Sequence, residues 1–283
     1  MGQVEIGISG WAYKGWRGSF YPHGLSRKDE LYYASRILPT IEINSTFYSL
    51  RKPVNFRHWY EVTPRDFIFS IKANRYITHV KKLKNIEIPL ANFFTSGILE
   101  LKEKLGPILW QFPPTLKFDP ERFETFLKLL PRSFEAAMKA GKNHRIRHAV
   151  EMRNDSFLNP LFVDLLRTYN TALVMADTGG RWPYLEDVTS DFIYIRLHGH
   201  TKLYQSGYDD QSLDNWCRRI KTWKEGSEPL DRVTISDDLA AKKPRDVFVY
   251  FDNDAKVHAP WDAQKLMQKL NKNKNQRRIH VDI

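Results

Sequence analysis

Short apolar runs alternate with amphipathic segments along almost the whole chain. The runs VEIGISG (4–10), TIEINST (40–46), FIFSIKA (67–73), PILWQF (107–112), HAVEMR (148–153), ALVMAD (172–177), FIYIRLHG (192–199) and VFVYFDND (247–254) are rich in β-branched, aliphatic and aromatic residues. That composition and length predict strands. Several are apolar at successive positions, the pattern of strands covered on both faces by helices. The segments between them carry apolar residues at helical spacing. Ser26 is expected to cap a helix in SRKDELYYASRIL, and Pro53 to open one in PVNFRHWYEVT. Gly106 is expected to close IPLANFFTSGILELKEKLG, and Asp119 with Pro120 to start DPERFETFLKLLP. NPLFVDLLRTYN, SLDNWCRRIKTWK and APWDAQKLMQKLNK read as further helices. TGGRWPYLEDVTS (178–190) has little helical pattern, and SEPLDRVTISDDLAAKKPRD (227–246) reads as a polar irregular loop.

Eight strands result, seven of them followed by a helix. A helical crossover between neighbouring strands forces parallel pairing. Eight such units can close a sheet and abolish its edges. The predicted fold class is α/β, a TIM-type (β/α)8 barrel, irregular after strand 6. One domain spans 1–283, with a core at about 4–271 and a basic C-terminal tail at 272–283. No internal repeat and no Ser/Gly-rich linker interrupts it.

Composition narrows this picture slightly. The 283 residues are 42% hydrophobic and 13% aromatic, enough for a large core and outside the disordered class. The single cysteine, Cys217, cannot form an internal disulfide and falls in a predicted helix as buried filler. MGQVEIGISGW enters a strand almost at once, without a basic segment leading into a long apolar one, so no signal peptide is expected. No run approaches the ~18 apolar residues of a membrane span, and a cytoplasmic location with no membrane partner is the expectation. The formal charge of +11 favours anionic partners, nucleic acid included. Much of it lies in KANRYITHVKKLK, MKAGKNHRIRH and KLNKNKNQRR, which also fit solvated loops and a tail.

The chemistry lies at the ends of the apolar runs. Each run meets polar residues there: Glu42 and Asn44, Lys72, Gln111, Glu151 and Arg153, Asp177, Arg196 and His198, Asp252 and Asn253. On parallel strands these gather at the carboxyl end of the sheet, where α/β barrels build their sites. Glu42 and Glu151 sit inside otherwise apolar strands. A carboxylate there needs a partner or a role, so the pair reads either as acid/base machinery or as part of an ion-pair network. Lys72, Arg153 and Arg196 suit a phosphate or carboxylate ligand, or pairing with Glu42, Glu151 and Asp177. A desolvated Lys72 is also a candidate Schiff-base nucleophile. Trp11, Tyr13, Trp16, Phe20 and Tyr21 follow strand 1 and read as a stacking surface or as packing at the barrel mouth. Glu42, Glu151, Asp177, His198, Asp252 and His258 are a possible divalent-metal set, but no HExxH spacing supports it, and His198 with His200, two apart on a strand, is a weak signal. The interleaved cations would repel a metal, so no cofactor is assigned. No GxGxxG or GxxxxGK[ST] loop and no readable Ser/His/Asp triad is present.

SGWAYKGWRGSFYP, TIEINSTFY, SIKANRYITH, LWQFPPTLKFDPERF, AVEMRNDSF, ADTGGRWP, YIRLHG and VYFDNDAKVHAP resemble, in this order, the DUF72 (YecE-like) family. The resemblance runs from about residue 5 to residue 270. It implies a TIM-barrel-like fold and no particular reaction. Where many members read FNND, this chain has Phe251, Asp252, Asn253 and Asp254, which adds a carboxylate. The resulting functional expectation is an enzyme, a hydrolase or lyase, acting on an anionic, phosphate-bearing small molecule. Glu42, Glu151, Lys72 and His198 are its catalytic candidates. Trp11, Tyr13, Asn44, Gln111, Arg153, Asp177, Arg196 and Asn253 are its binding candidates. The rivals are a nucleic-acid-binding or nucleic-acid-processing protein and a non-catalytic module that binds a small acid. The oligomeric state is not legible.

Overall fold

The computed structural model describes residues 2–133, 135 and 145–279. Eight strands pair in chain order and close on themselves, β1 against β8, every pairing parallel. They are β1 Val4–Ser9, β2 Thr40–Ile43, β3 Ile68–Lys72, β4 Leu105–Gln111, β5 His148–Glu151, β6 Ala172–Asp177, β7 Phe192–Leu197 and β8 Asp246–Phe251. All eight apolar runs therefore form strands.

Helices α1 Glu30–Ile37, α2 Ser45–Tyr48, α3 Pro53–Val62, α4 Glu87–Thr95, α5 Pro120–Leu129, α6 Pro160–Thr168, α7 Asp210–Lys224 and α8 His258–Ile279 surround the barrel. The expected start signals hold at α3, which has Pro53 in its first turn, and at α5, where the Asp119 carboxylate accepts from Arg122 N. Two expectations fail. Ser26 makes no side-chain cap; it precedes a 3₁₀ turn, Arg27–Asp29, that leads into α1. Gly106 closes no helix, because it lies inside β4. The segment splits instead at Gly97, which follows α4 with φ of 117° and leads into a 3₁₀ stretch, Ile98–Lys104. Gly106 and Pro107 sit where the β3–β4 register slips. A Cβ on Gly106 would stand 2.6 Å from Ile68 Cγ2, and Pro107 has no N–H for the ladder, so the irregularity absorbs both.

No helix forms between β6 and β7. The polar loop 227–245 covers that segment instead. Glu186, fully buried, takes two bonds from Arg219 Nη1 at 2.7 Å, one from Val233 N at 3.0 Å and one from Tyr184 OH at 2.6 Å. Asp187 accepts from Ile235 N and Ser236 N, both at 3.1 Å. The loop is thus anchored by buried carboxylates where a helix would use apolar packing. Of the basic stretches, residues 138–144 and 280–283 lie outside the described residues, and the last helix continues to Ile279.

The main core lies between strands and helices, and Cys217 is buried in it. A second cluster, including Leu109, Ala149, Val174, Phe192, Tyr194, Phe248 and Tyr250, fills the barrel. Residues of alternating strand positions point inward in layers. Along β7 these are Phe192, Tyr194 and Arg196; along β8, Phe248, Tyr250 and then Asp252. The sequence thus passes from apolar to polar along the barrel axis. Tyr194 OH and Tyr250 OH meet Ser70 Oγ at 2.7 Å and Thr40 Oγ1 at 2.9 Å, forming a polar floor beneath the charged layer.

Candidate functional site

The charged layer centres on Arg196, which is fully buried. Its Nη1 donates to Glu151 Oε2 at 2.7 Å; its Nη2 donates to Glu42 Oε1 at 2.8 Å and Asp252 Oδ2 at 2.9 Å. A lone guanidinium without water would be prohibitively placed here. Three carboxylates hold it, and they raise its pKa well above the ordinary value although burial opposes this. Two of the carboxylates take further donors. Glu42 also accepts from Ser9 Oγ at 2.7 Å and Tyr194 OH at 2.6 Å. Glu151 also accepts from Gln111 Nε2 and Arg153 Nε, both at 2.8 Å. Burial pushes Glu151 up, but Arg153, Arg196, His198 and Lys72 outweigh it and hold its pKa well below the carboxylate range. The same contest, decided mainly by Arg196, leaves Asp252 lowered.

This geometry separates the expected residues into groups. Glu42, Glu151, Gln111 and Arg196 do come together, but as a closed ion-pair network. Glu42 is 0% and Glu151 1% exposed, so neither presents a free oxygen at the mouth. Arg196 Nη1 and Nη2 are committed to carboxylates and face no outside anion. His198 is fully buried beside them, with Nε2 3.3 Å from Arg196 Nη1. Its Nδ1 is 3.1 Å from Asp252 Oδ2 without hydrogen-bond geometry. Burial and the Arg196 charge depress its pKa.

Above the network the mouth is partly open. Lys72, half-buried at the end of β3, places Nζ 4.5 Å from the centre of the Phe47 ring. Arg153 reaches the mouth from beyond β5, its guanidinium 3.7 Å from the Trp182 ring centre and 3.3 Å from Tyr204 OH. Of the cations Lys72, Arg153 and Arg196, only Lys72 has no carboxylate oxygen within 4.0 Å among the described residues. Burial first and Arg196 second lower its pKa to about 8, against the opposing pull of Asp252, Glu42 and Glu151. Burial and the charges of Lys72 and Arg153 push His79 down to about 4. Burial and Asp252 push Asp254 up to about 6.

Trp11 and Tyr13 are half-buried at the end of β1; Trp11 packs edge-on against Trp59 at 5.4 Å, and Tyr13 OH donates to Ser9 O. The other loop aromatics, Trp16, Phe20 and Tyr21, are buried core. Asn44 stands half-buried just beyond β2, its Oδ1 without a hydrogen-bond partner. Two expected residues turn elsewhere. Asp177 accepts from Gly179 N at 3.3 Å and lies 3.8 Å from His200 Nδ1, outside the Arg196 network. Asn253 donates to Ser206 O at 3.0 Å and Asp262 Oδ2 at 2.9 Å, tying the loop after β7 to α8.

The expected site residues omitted Tyr194, Tyr204 and His79, and Asp252 was named only as a strand-end carboxylate and a member of the possible metal set. Tyr194 was detectable, because it continues the inward alternation of β7. Tyr204 and His79 lie on connections, where no period applies. Among the described residues no three His, Cys, Asp or Glu side chains are placed to share a metal ion. A groove of about 550 Å³ runs along the connection after β3, lined by Leu50, Asn74, Tyr76, Ile77, Lys81 and Ile88 among others.

A closed barrel of eight parallel strands with a charged layer at their carboxyl ends is a (β/α)8 barrel of the TIM type. The chain belongs to the DUF72 family, described as "Protein of unknown function DUF72", whose pattern matches residues 5–281. It is 30% identical over 241 residues to the UPF0759 protein YecE of Escherichia coli O157:H7, covering 80% of this chain and 84% of that one. It is 22% identical to the UPF0759 protein YunF of Bacillus subtilis (strain 168), covering 94% of each. A crystal structure of a DUF72 family protein from Thermotoga maritima superposes with a TM-score of 0.76 at 24% identity, covering 95% of this chain and 99% of that chain. One from Enterococcus faecalis gives 0.71 at 19% identity, covering 95% and 96%. These structures support the fold. No helix among the described residues is long and apolar enough to cross a membrane.

Proposed function

We propose that this protein is an acid/base enzyme, a hydrolase or lyase, that takes a small anionic molecule at the carboxyl-end mouth of its barrel. The observation that carries the reading is Lys72, a half-buried ammonium at the mouth with no carboxylate oxygen within 4.0 Å among the described residues. A cation left in this state is a ready ligand for a phosphate or carboxylate. Arg153 flanks the same opening, with one edge held by Glu151 and its face on Trp182. Lys72 is also the proton-transfer group, since a lysine tuned to about 8 changes charge near working pH. In this reading Glu42, Glu151, Asp252 and Arg196 are the fixed electrostatic frame, and His198 is buried within it. A reacting anion meets a preorganised field that needs no rearrangement. Trp11, Tyr13 and Asn44 contact the rest of the ligand.

Titration of the protein with inorganic phosphate and with a panel of phosphomonoesters, followed by calorimetry and thermal shift, tests this. Saturable binding is expected, weakening as pH rises through about 8 where Lys72 loses its charge, and lost in Lys72→Gln. Absence of saturable binding, or equal binding by a folded Lys72→Gln variant, overturns the proposal.

A further inference from the structure

The proposed anion site leaves one question of chemistry open: what a half-desolvated lysine does beyond attracting charge. Three features of its surroundings bear on this. First, Lys72 Nζ rests over the Phe47 ring at 4.5 Å and has no ion-pair partner within 4.0 Å among the described residues. A lysine serving only to neutralise a neighbouring carboxylate would be paired. Second, the charged groups that face it come from every side of the mouth: Arg196 from β7, Asp252 from the end of β8, Glu42 from β2, Glu151 from β5 and His79 from the turn after β3. Arg196 fixes the three carboxylates through its own bonds, so none swings across to trap the ammonium. Third, Asp252 is the most exposed carboxylate of the network, its side chain 12% exposed against 0% for Glu42 and 1% for Glu151. It forms the solvent-side edge of the network.

We propose that Lys72 is a Schiff-base-forming catalytic residue whose substrates are small aldehydes or ketones carrying a carboxylate or phosphate, the anionic end resting at Arg153. This deepens the reading above and rests on it. The free amine of Lys72 adds to the carbonyl carbon, forming a C–N bond and a carbinolamine. Loss of its hydroxyl as one water, with a proton supplied from the mouth, gives the imine. No electrons are exchanged with an outside partner. The protonated imine then serves as the electron sink for breaking or forming a bond at the adjacent carbon, which places the reaction among lyases. The lowered basicity of Lys72 supports the assignment, because only the neutral amine attacks.

Reductive trapping tests it directly. The whole protein is incubated at pH 7.5 with sodium cyanoborohydride and, separately, pyruvate, glyoxylate, dihydroxyacetone phosphate and glyceraldehyde 3-phosphate, and modified peptides are mapped by mass spectrometry. At least one probe is expected to modify Lys72 about tenfold or more faster than exposed lysines such as Lys28 and Lys117, as its larger free-amine fraction requires. Added inorganic phosphate is expected to slow that modification selectively. Lys72→Arg, checked for an unchanged melting profile, is expected to lose the fast phase while keeping slow surface labelling. Labelling that follows exposure alone, or a fast phase that persists in Lys72→Arg, overturns the proposal. If phosphate still binds saturably at the mouth in that case, the anion site stands and only the imine chemistry falls. If neither phosphate nor any carbonyl probe engages Lys72, both fall.

Discussion

Arg196 shows how a single side chain organises the barrel mouth. Its two terminal nitrogens reach three carboxylates at 2.7–2.9 Å, an arrangement that depends on a planar fork with several fixed donors. A lysine at that position offers a point charge and cannot reproduce it. Removing one side of a buried ion pair leaves the other uncompensated, at a cost of about 3–5 kcal/mol. Arg196→Met is therefore expected to destabilise the protein by about that amount or more in denaturant unfolding. Glu42→Gln should destabilise less, because Arg196 keeps Glu151 and Asp252 and the amide oxygen still accepts from one of the two hydroxyls, Ser9 or Tyr194. The double variant should depart from additivity by about 0.5–3 kcal/mol, since the two side chains are in contact. Strict additivity would mean that the observed bonds carry no coupling.

At the scale of elements, the chain uses glycine and loops to solve local packing problems. Gly97 separates α4 from the 3₁₀ stretch that leads into β4. Its φ of 117° is open to glycine and strained for other residues, and a Cβ there would lie 2.6 Å from Pro53 Cα. Gly97→Ala is expected to destabilise by about 1–3 kcal/mol, because both strain and a backbone clash act together. An unchanged denaturation midpoint would contradict this. Gly106, which sequence reasoning assigned to that punctuation, serves instead to let β3 and β4 approach at the register slip. Both glycines follow the same amphipathic stretch, and spacing alone does not distinguish a cap from a bulge. The missing helix after β6 has a similar lesson: its absence was readable in 178–190, but the cover provided by 227–245 was not. That cover rests on Glu186, Asp187 and Arg219, which come from distant parts of the chain.

For the whole molecule, acid sensitivity follows from buried neutral histidine. His148 starts β5 and is fully buried between the barrel and its helices. Its Nδ1 accepts from Trp110 Nε1 at 3.0 Å, and its Nε2 lies 2.7 Å from Pro131 O. Burial and the charge of Arg132 depress its pKa from 6.5 to about 3. Between those values the unfolded chain binds a proton that the folded one refuses, so stability is intact above about 6.5 and declines as pH falls toward 3. The decline from this group reaches about 2 kcal/mol at pH 5. His148→Gln should be less stable at pH 7 yet lose less stability between pH 7 and pH 5, as measured by urea unfolding at each pH. An equal slope in both proteins would exclude His148 as a source.

Eight strands, their order, their closure and the end that carries the polar groups were all legible in the chain, because hydrophobic period and crossover length are local properties. The alternation Phe192, Tyr194, Arg196 even gives the layer to which each side chain belongs. The sequence also placed Glu42, Glu151, Lys72, Arg153 and Arg196 in one neighbourhood. Only the tertiary structure decided who pairs with whom. Residues separated by 154 positions, Glu42 and Arg196, meet across the lumen. The shear of the closed sheet and the depth of each layer set those distances, and neither is encoded in any one strand. That is why Arg196 takes three carboxylates, Asp177 turns to the loop after β6, Asn253 turns to Ser206 and Asp262, and Lys72 is left at the mouth without an ion-pair partner within 4.0 Å among the described residues.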